Sequence, residues 1–144
     1  MFLYCWADVT SELHGPRILM VSIMTHSILR HHLASICDWN NVEVGPGKYS
    51  TVEYYKAALE VQRNYEMIIM HDKFTNGCGP DAVRELRQSL AFKGYIICIA
   101  NSIRPEKVKT YTDQGANKVF RNVMSEEDVL EVQKGESRLP RNLL

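Results

Sequence analysis

His71 and Asp72 end an apolar run, Met67-Ile68-Ile69-Met70, and a loop carrying Gly77, Cys78 and Gly79 follows before a helical pattern resumes. An apolar strand closing on ionisable residues and a glycine loop is how a parallel sheet delivers chemistry to its carboxyl edge. Either His71 or Asp72 could be the group so delivered. An imidazole there could bind a metal together with Cys78. One His and one Cys fall short of a zinc set, so His71 reads more simply as a polar plug bonded to neighbouring backbone. Asp72 reads as a solvated loop carboxylate. Gly77 and Gly79 could cradle a phosphate, but no P-loop lysine accompanies them. His31 and His32 are adjacent rather than one helical turn apart, so they cannot chelate jointly from one face and read as surface residues.

The elements that must position these groups follow from periodicity. Continuous apolar runs at Ile18 to Val21, Met67 to Met70 and Tyr95 to Ala100 have strand length, and Val42 to Val44 and Asn117 to Phe120 can be shorter strands. Helical stripes lie between them at Leu29, Leu33 and Ile36, at Val52, Tyr55 and Leu59, and at Ala82, Val83, Leu86 and Leu90. Two further helices contain Val108 and Tyr111, and Val129, Leu130 and Val132. Ser50 to Glu53 has the form of a capping box. Pro80 and Pro105 suit first helical turns, and Gly115 suits a helix stop. Strands apolar throughout, rather than alternating, are covered on both faces. That predicts an α/β fold, (βα)5, with a doubly wound parallel sheet and helices on both sides. Residues 17–134 form this unit, 1–16 an N-terminal extension or linker, and 135–144 a tail.

Composition narrows the function. Lys plus Arg and Asp plus Glu are both 17 in 144 residues, so the formal charge is zero. Nucleic acid and anionic membrane are thereby disfavoured as partners, since both require a basic excess. Cys5, Cys37, Cys78 and Cys98 lack zinc or disulfide-scaffold spacing, which fits a reducing, cytoplasmic setting. The apolar start, MFLYCWADV, has no basic flank and meets Asp8 too early for a signal peptide or a membrane span.

Over residues 17–134 the order and spacing of ILMVSIMTHSILRHHL, YEMIIMHD, GCGPDAVRELRQ, YIICIANS and GANKVFRNVMSEEDVL resemble the receiver domain of two-component response regulators. Gly79, eight positions after His71, and Gly115-Ala116-Asn117 carry the resemblance best. It implies a flavodoxin-like sheet of order 2-1-3-4-5. It also implies phosphoryl transfer to an aspartate ending the third strand, with magnesium held beside it by an acidic pair after the first strand. A hydroxyl ending the fourth strand and a lysine ending the fifth would bind the phosphoryl oxygens.

Carried over position by position, that chemistry is missing. The acidic pair falls on Ser22 and Ile23, the phosphoacceptor on His71, the hydroxyl on Ala100 and the lysine on Asn122. Val119 takes the place of the aromatic switch residue, with Phe120 turned to the opposite face. The resemblance therefore implies a degenerate form, a pseudo-receiver, free-standing or drawn from a hybrid histidine kinase. Its expected role is non-catalytic: a phosphorylation-independent interaction module without cofactor or metal, docking a histidine kinase, a phosphotransfer protein or another signalling domain. A homodimer, and the cytoplasmic part of a membrane-bound sensor, fit the same pattern. Receivers dock through the first helix, here with Arg30 and His31, and through the face of the fourth helix, fifth strand and fifth helix, here with Lys107 and Lys109. The alternatives are an active divergent receiver using Asp72, and a small-ligand domain with an apolar pocket lined by Ile23, Met24 and Ala100.

Overall fold

The computed structural model describes residues 12–21, 26–45, 52–61, 64–72, 79–121 and 124–137. Five strands, β1 (Ile18–Val21), β2 (Val42–Gly45), β3 (Met67–His71), β4 (Tyr95–Ala100) and β5 (Lys118–Arg121), alternate with five helices. These are α1 (His26–Cys37), α2 (Val52–Val61), α3 (Gly79–Gln88), α4 (Pro105–Gln114) and α5 (Glu126–Ser137). The strands form one sheet in the order β2-β1-β3-β4-β5, and every pairing is parallel. This is the (βα)5 flavodoxin-like architecture. The Ser50-Thr51 cap falls outside the described residues.

Alternation along the strands splits the core in two. Ile18, Met20, Met67, Ile69, Ile97, Ile99 and Phe120 face Leu29 and Leu33 of α1 and Val129 and Val132 of α5. Leu19, Ile68, Met70, Ile96 and Cys98 face Tyr55 and Leu59 of α2, Val83 and Leu86 of α3, and Tyr111 of α4. β3 and β4 are buried on both faces along Met67–Met70 and Tyr95–Ala100. Each fully buried aliphatic side chain contributes about 1.5 to 3 kcal/mol relative to exposure, so these two central strands anchor the sheet.

Local chemistry ends the helices where the sheet needs the chain back. Gly115, at φ 119°, sits in the left-handed region, and its N–H and that of Ala116 return to the carbonyls of Thr112 and Tyr111. Ser125 and Asp128 exchange bonds at the start of α5, the backbone N–H of each donating to the other's side chain at 3.0 and 3.2 Å. That reciprocal pairing satisfies donors the helix leaves free. β5 begins at Lys118, one residue later than the apolar pattern suggests. Asn117 is occupied differently: its side-chain oxygen accepts the Ile96 N–H at 2.8 Å while its own N–H donates to the Ile96 carbonyl at 2.9 Å.

Candidate functional site

His71 is the last residue of β3, paired with Ile99 and half-buried. Ala100 ends β4 with no exposed surface. Both therefore stand at the carboxyl edge of the sheet's centre. Ser22, Ile23, Met24 and Asn122 lie outside the described residues.

Asp72 is where the sequence reading needs correction. It is not a solvated loop carboxylate, for its side chain is only 19% exposed. Its N–H donates to the Ile99 carbonyl at 2.7 Å, continuing the β3–β4 ladder one step past the strand. Its Oδ2 accepts from Lys107 Nζ at 2.6 Å, and its Oδ1 accepts from the hydroxyl of Tyr111. By strand parity Asp72 follows Ile68 and Met70 onto the α2–α3–α4 face, and α4 supplies both donors, Lys107 and Tyr111, one turn apart. Charge-assisted bonds of this kind are the strong class.

Gly79 completes the arrangement. A β-carbon on this first residue of α3 would collide with the Tyr111 hydroxyl. The glycine thus lets a fully buried tyrosine reach past a helix start to a carboxylate. The sequence reading placed Tyr111 in the helix opened by Pro105 but missed the role of its hydroxyl. A buried tyrosine where leucine would pack equally well was the available sign, because its O–H must find a partner.

The proposed docking residues differ in kind. Arg30 and His31 are exposed on α1. Lys109 is exposed and pairs with Asp113 at 2.7 Å within its own helix. Lys107 is half-buried and held by Asp72. His32 is half-buried too, with Nδ1 3.2 Å from the carbonyl of Met124.

Magnesium takes several oxygen ligands in a tight octahedron. Among the described residues the end of β3 offers one carboxylate, Asp72, each of whose oxygens already accepts a hydrogen bond, from Lys107 and from Tyr111. Among the described residues, no three His, Cys, Asp or Glu side chains stand close enough to hold a metal. No described helix is long and apolar enough to cross a membrane.

A second polar centre, which the sequence reading missed, lies at the opposite edge. Arg87, near the end of α3, donates Nε to Gly115 O at 3.0 Å, Nη1 to Phe92 O and Gly94 O at 2.9 and 2.7 Å, and Nη2 to Asn117 Oδ1 at 2.8 Å. One guanidinium therefore ties the lead-in to β4 to the lead-in to β5. Burial lowers its pKa, partly offset by Cys98. In sequence, an arginine at the margin of an apolar stripe is indistinguishable from a surface one. Cys98 is itself fully buried and its pKa is raised, first by burial and then by the charge of Asp72.

The fold these elements build is that of the receiver domain. The chemotaxis response regulator CheY4 of Vibrio cholerae is similar with a TM-score of 0.67 at 20% identity, over 85% of this chain and 98% of that one. The receiver domain of a sensor histidine kinase of Pseudomonas aeruginosa, solved with magnesium in its active-site cleft, gives 0.63 at 18% identity, over 85% and 98%. A two-component response regulator of Clostridium difficile gives 0.63 at 11% identity, over 86% and 97%. No protein-family model and no curated protein sequence matches the chain.

Proposed function

We propose that this chain is a non-catalytic pseudo-receiver, a protein-interaction module of a two-component-type pathway whose contacts do not depend on phosphorylation. The observation that carries this reading is the Asp72 carboxylate, clamped by Lys107 and Tyr111 of α4. Hydrogen bonds to both oxygens draw charge from the carboxylate and make it a poorer nucleophile. The neighbouring position, His71, has no carboxylate to offer, and Ala100 has no hydroxyl to hold a phosphoryl oxygen. Phosphoryl transfer relies on positioned positive charge at the transferring group; here the nearby ammonium already neutralises an internal acid.

The clamp also bears on switching. A two-state surface needs contacts that differ between its states. Residues that move in a receiver, a hydroxyl at the end of β4 and an aromatic ring in β5, are replaced by Ala100 and Val119, so α4 is held in one place. The partner is a kinase, a phosphotransfer protein or another signalling domain.

The test combines two measurements. Incubation with magnesium and acetyl phosphate followed by intact mass should give no phosphoryl adduct, and partner binding should be the same with and without phosphodonor. A stoichiometric adduct on Asp72 would overturn this reading in favour of an active divergent receiver.

A further inference from the structure

We propose that the free edge of β2 is a strand-addition site for an extended acidic segment of a partner protein, apolar at alternate positions. This deepens the interaction-module reading and rests on it for the existence of a partner. β2 is an edge strand, pairing only with β1 among the described residues. The Ile18 N–H donates to the carbonyl of Asn41 at 2.9 Å. In a regular parallel ladder that turns Asn41 and Glu43 towards β1 and leaves the N–H and C=O groups of Val42 and Val44 pointing outwards. Among the described residues nothing pairs with these groups, and such a row is a template for another strand.

Grooves flank this edge on both faces. On the α1 side Ala34, Trp39 and Val42 form the apolar part of a cavity of about 350 Å³, with Arg30 and His31 at its rim. On the α2 side Tyr54, Ala57, Ala58, Val61 and Tyr65 border one of about 260 Å³, and Val61 is 81% exposed. Side chains of a strand added to β2 would point alternately to the two faces, so each groove would take every second residue. This is the recognition mode in which backbone bonds supply affinity and flanking recesses supply selectivity.

Charge selects the acidic partner. Arg30 makes no ion pair or hydrogen bond among the described residues, and no acid lines its groove. Glu43, the acid of the other groove, is already paired with Arg17 at 3.5 Å. An incoming carboxylate would therefore meet an uncommitted guanidinium.

The probe is an acetylated octapeptide of alternating glutamate and valine, titrated into the isotope-labelled full chain. Expected are amide shifts at Val42 to Val44, loss of binding when alternate peptide nitrogens are methylated, and weaker binding of a lysine–valine peptide. Arg30→Glu should weaken binding at least about tenfold, as loss of an interface charge pair does. Val44→Pro removes an outward N–H without touching the β1 ladder and should abolish binding. If that variant does not fold, Ala34→Glu fills the α1-side groove from an exposed position and should have the same effect.

Absence of binding, or binding indifferent to methylation and to Val44→Pro or Ala34→Glu, overturns the inference. So does binding that appears only after removal of residues 1–11, which makes the chain's own segment the occupant. Dimerisation abolished by Val44→Pro does likewise, because the occupant is then a second copy. A partner bound through another face, independently of phosphodonor, leaves the interaction-module reading standing while strand addition falls.

Discussion

Lys107 of α4 holds Asp72 at the end of β3, with Nζ 2.6 Å from Oδ2 across 35 residues of chain. The pair lies beside a fully buried Tyr111 that binds the other carboxylate oxygen. A helix otherwise attached through few buried residues is thereby tied to the centre of the sheet. Asp72→Asn and Lys107→Met, made singly and together, should show a coupling of roughly 0.5 to 3 kcal/mol, the range for residues sharing one network. Tyr111→Phe should weaken the same tie. Denaturant unfolding of the four chains measures the coupling, and amide exchange should rise in α4 before other helices. Strict additivity would mean that the pair is incidental.

Arg87 should prove more sensitive than its partial exposure suggests. Its donors serve the carbonyls of Phe92, Gly94 and Gly115 and the amide of Asn117. Arg87→Met keeps most of the apolar stem and removes every donor, so it should cost roughly 3 kcal/mol, the scale for losing several charge-assisted bonds at once. Arg87→Lys should recover only a small part, because an ammonium cannot span acceptors fixed in a fork. Urea midpoints of the two variants decide it. Equal stability of Met and Lys variants with the parent would remove Arg87 from the fold's foundations.

How much of this could be read beforehand differs by element. Strands β1 and β4 and the core stripes of α1, α2 and α3 were legible, because a buried element leaves a periodic apolar trace. The two-layer core and strand order follow the resemblance closely. Asp72 was misread because the decisive partners, Lys107 and Tyr111, approach from a helix 35 and 39 residues away. Local pattern carries no information about such a meeting. Arg87 was missed for the same reason: its acceptors are mostly backbone carbonyls, which every residue type possesses. The edge-strand site depended on which side of β2 its backbone faces, a property of register rather than of composition.

Alkaline pH should destabilise the domain through two buried acids. Tyr65 has its pKa raised to about 12 by burial and by Glu43, with Arg17 opposing. Cys98 is raised by burial and then by Asp72. Both groups stay neutral in the folded chain to higher pH than in the unfolded one. Their stabilising contribution is therefore complete below the unfolded pKa values, ordinarily near 8.5 for the thiol and 10 for the phenol, and is lost as pH rises through the folded values. Stability should fall from about pH 9 upward, with the thiol acting first. Cys98→Ala should flatten the onset and Tyr65→Phe the steeper loss between the unfolded phenol range and about 12. Urea unfolding across this range tests it; a parent profile that both variants reproduce would assign the loss to other groups.

Restoring the missing acid should not restore the chemistry. His71→Asp places a carboxylate at the half-buried end of β3, beside Asp72 in sequence but turned by strand parity to the α1–α5 face. Lys107 and Tyr111 lie on the other face, committed to Asp72. The new acid would then have no share of the Lys107 ammonium, and it would be partly desolvated. The cost should be on the order of 1 to 3 kcal/mol at neutral pH, the range for a polar group buried without adequate partners. Because that cost belongs to the charged form, it should shrink as the new acid is protonated, and the deficit relative to the parent should narrow near pH 4. Magnesium and acetyl phosphate should still leave the intact mass unchanged, since Ser22, Ile23, Ala100 and Asn122 supply neither acidic ligands nor a lysine. Phosphorylation of the single variant would mean that an intact phosphoryl site had survived around a single missing carboxylate, and that the clamp on Asp72 is no barrier to transfer.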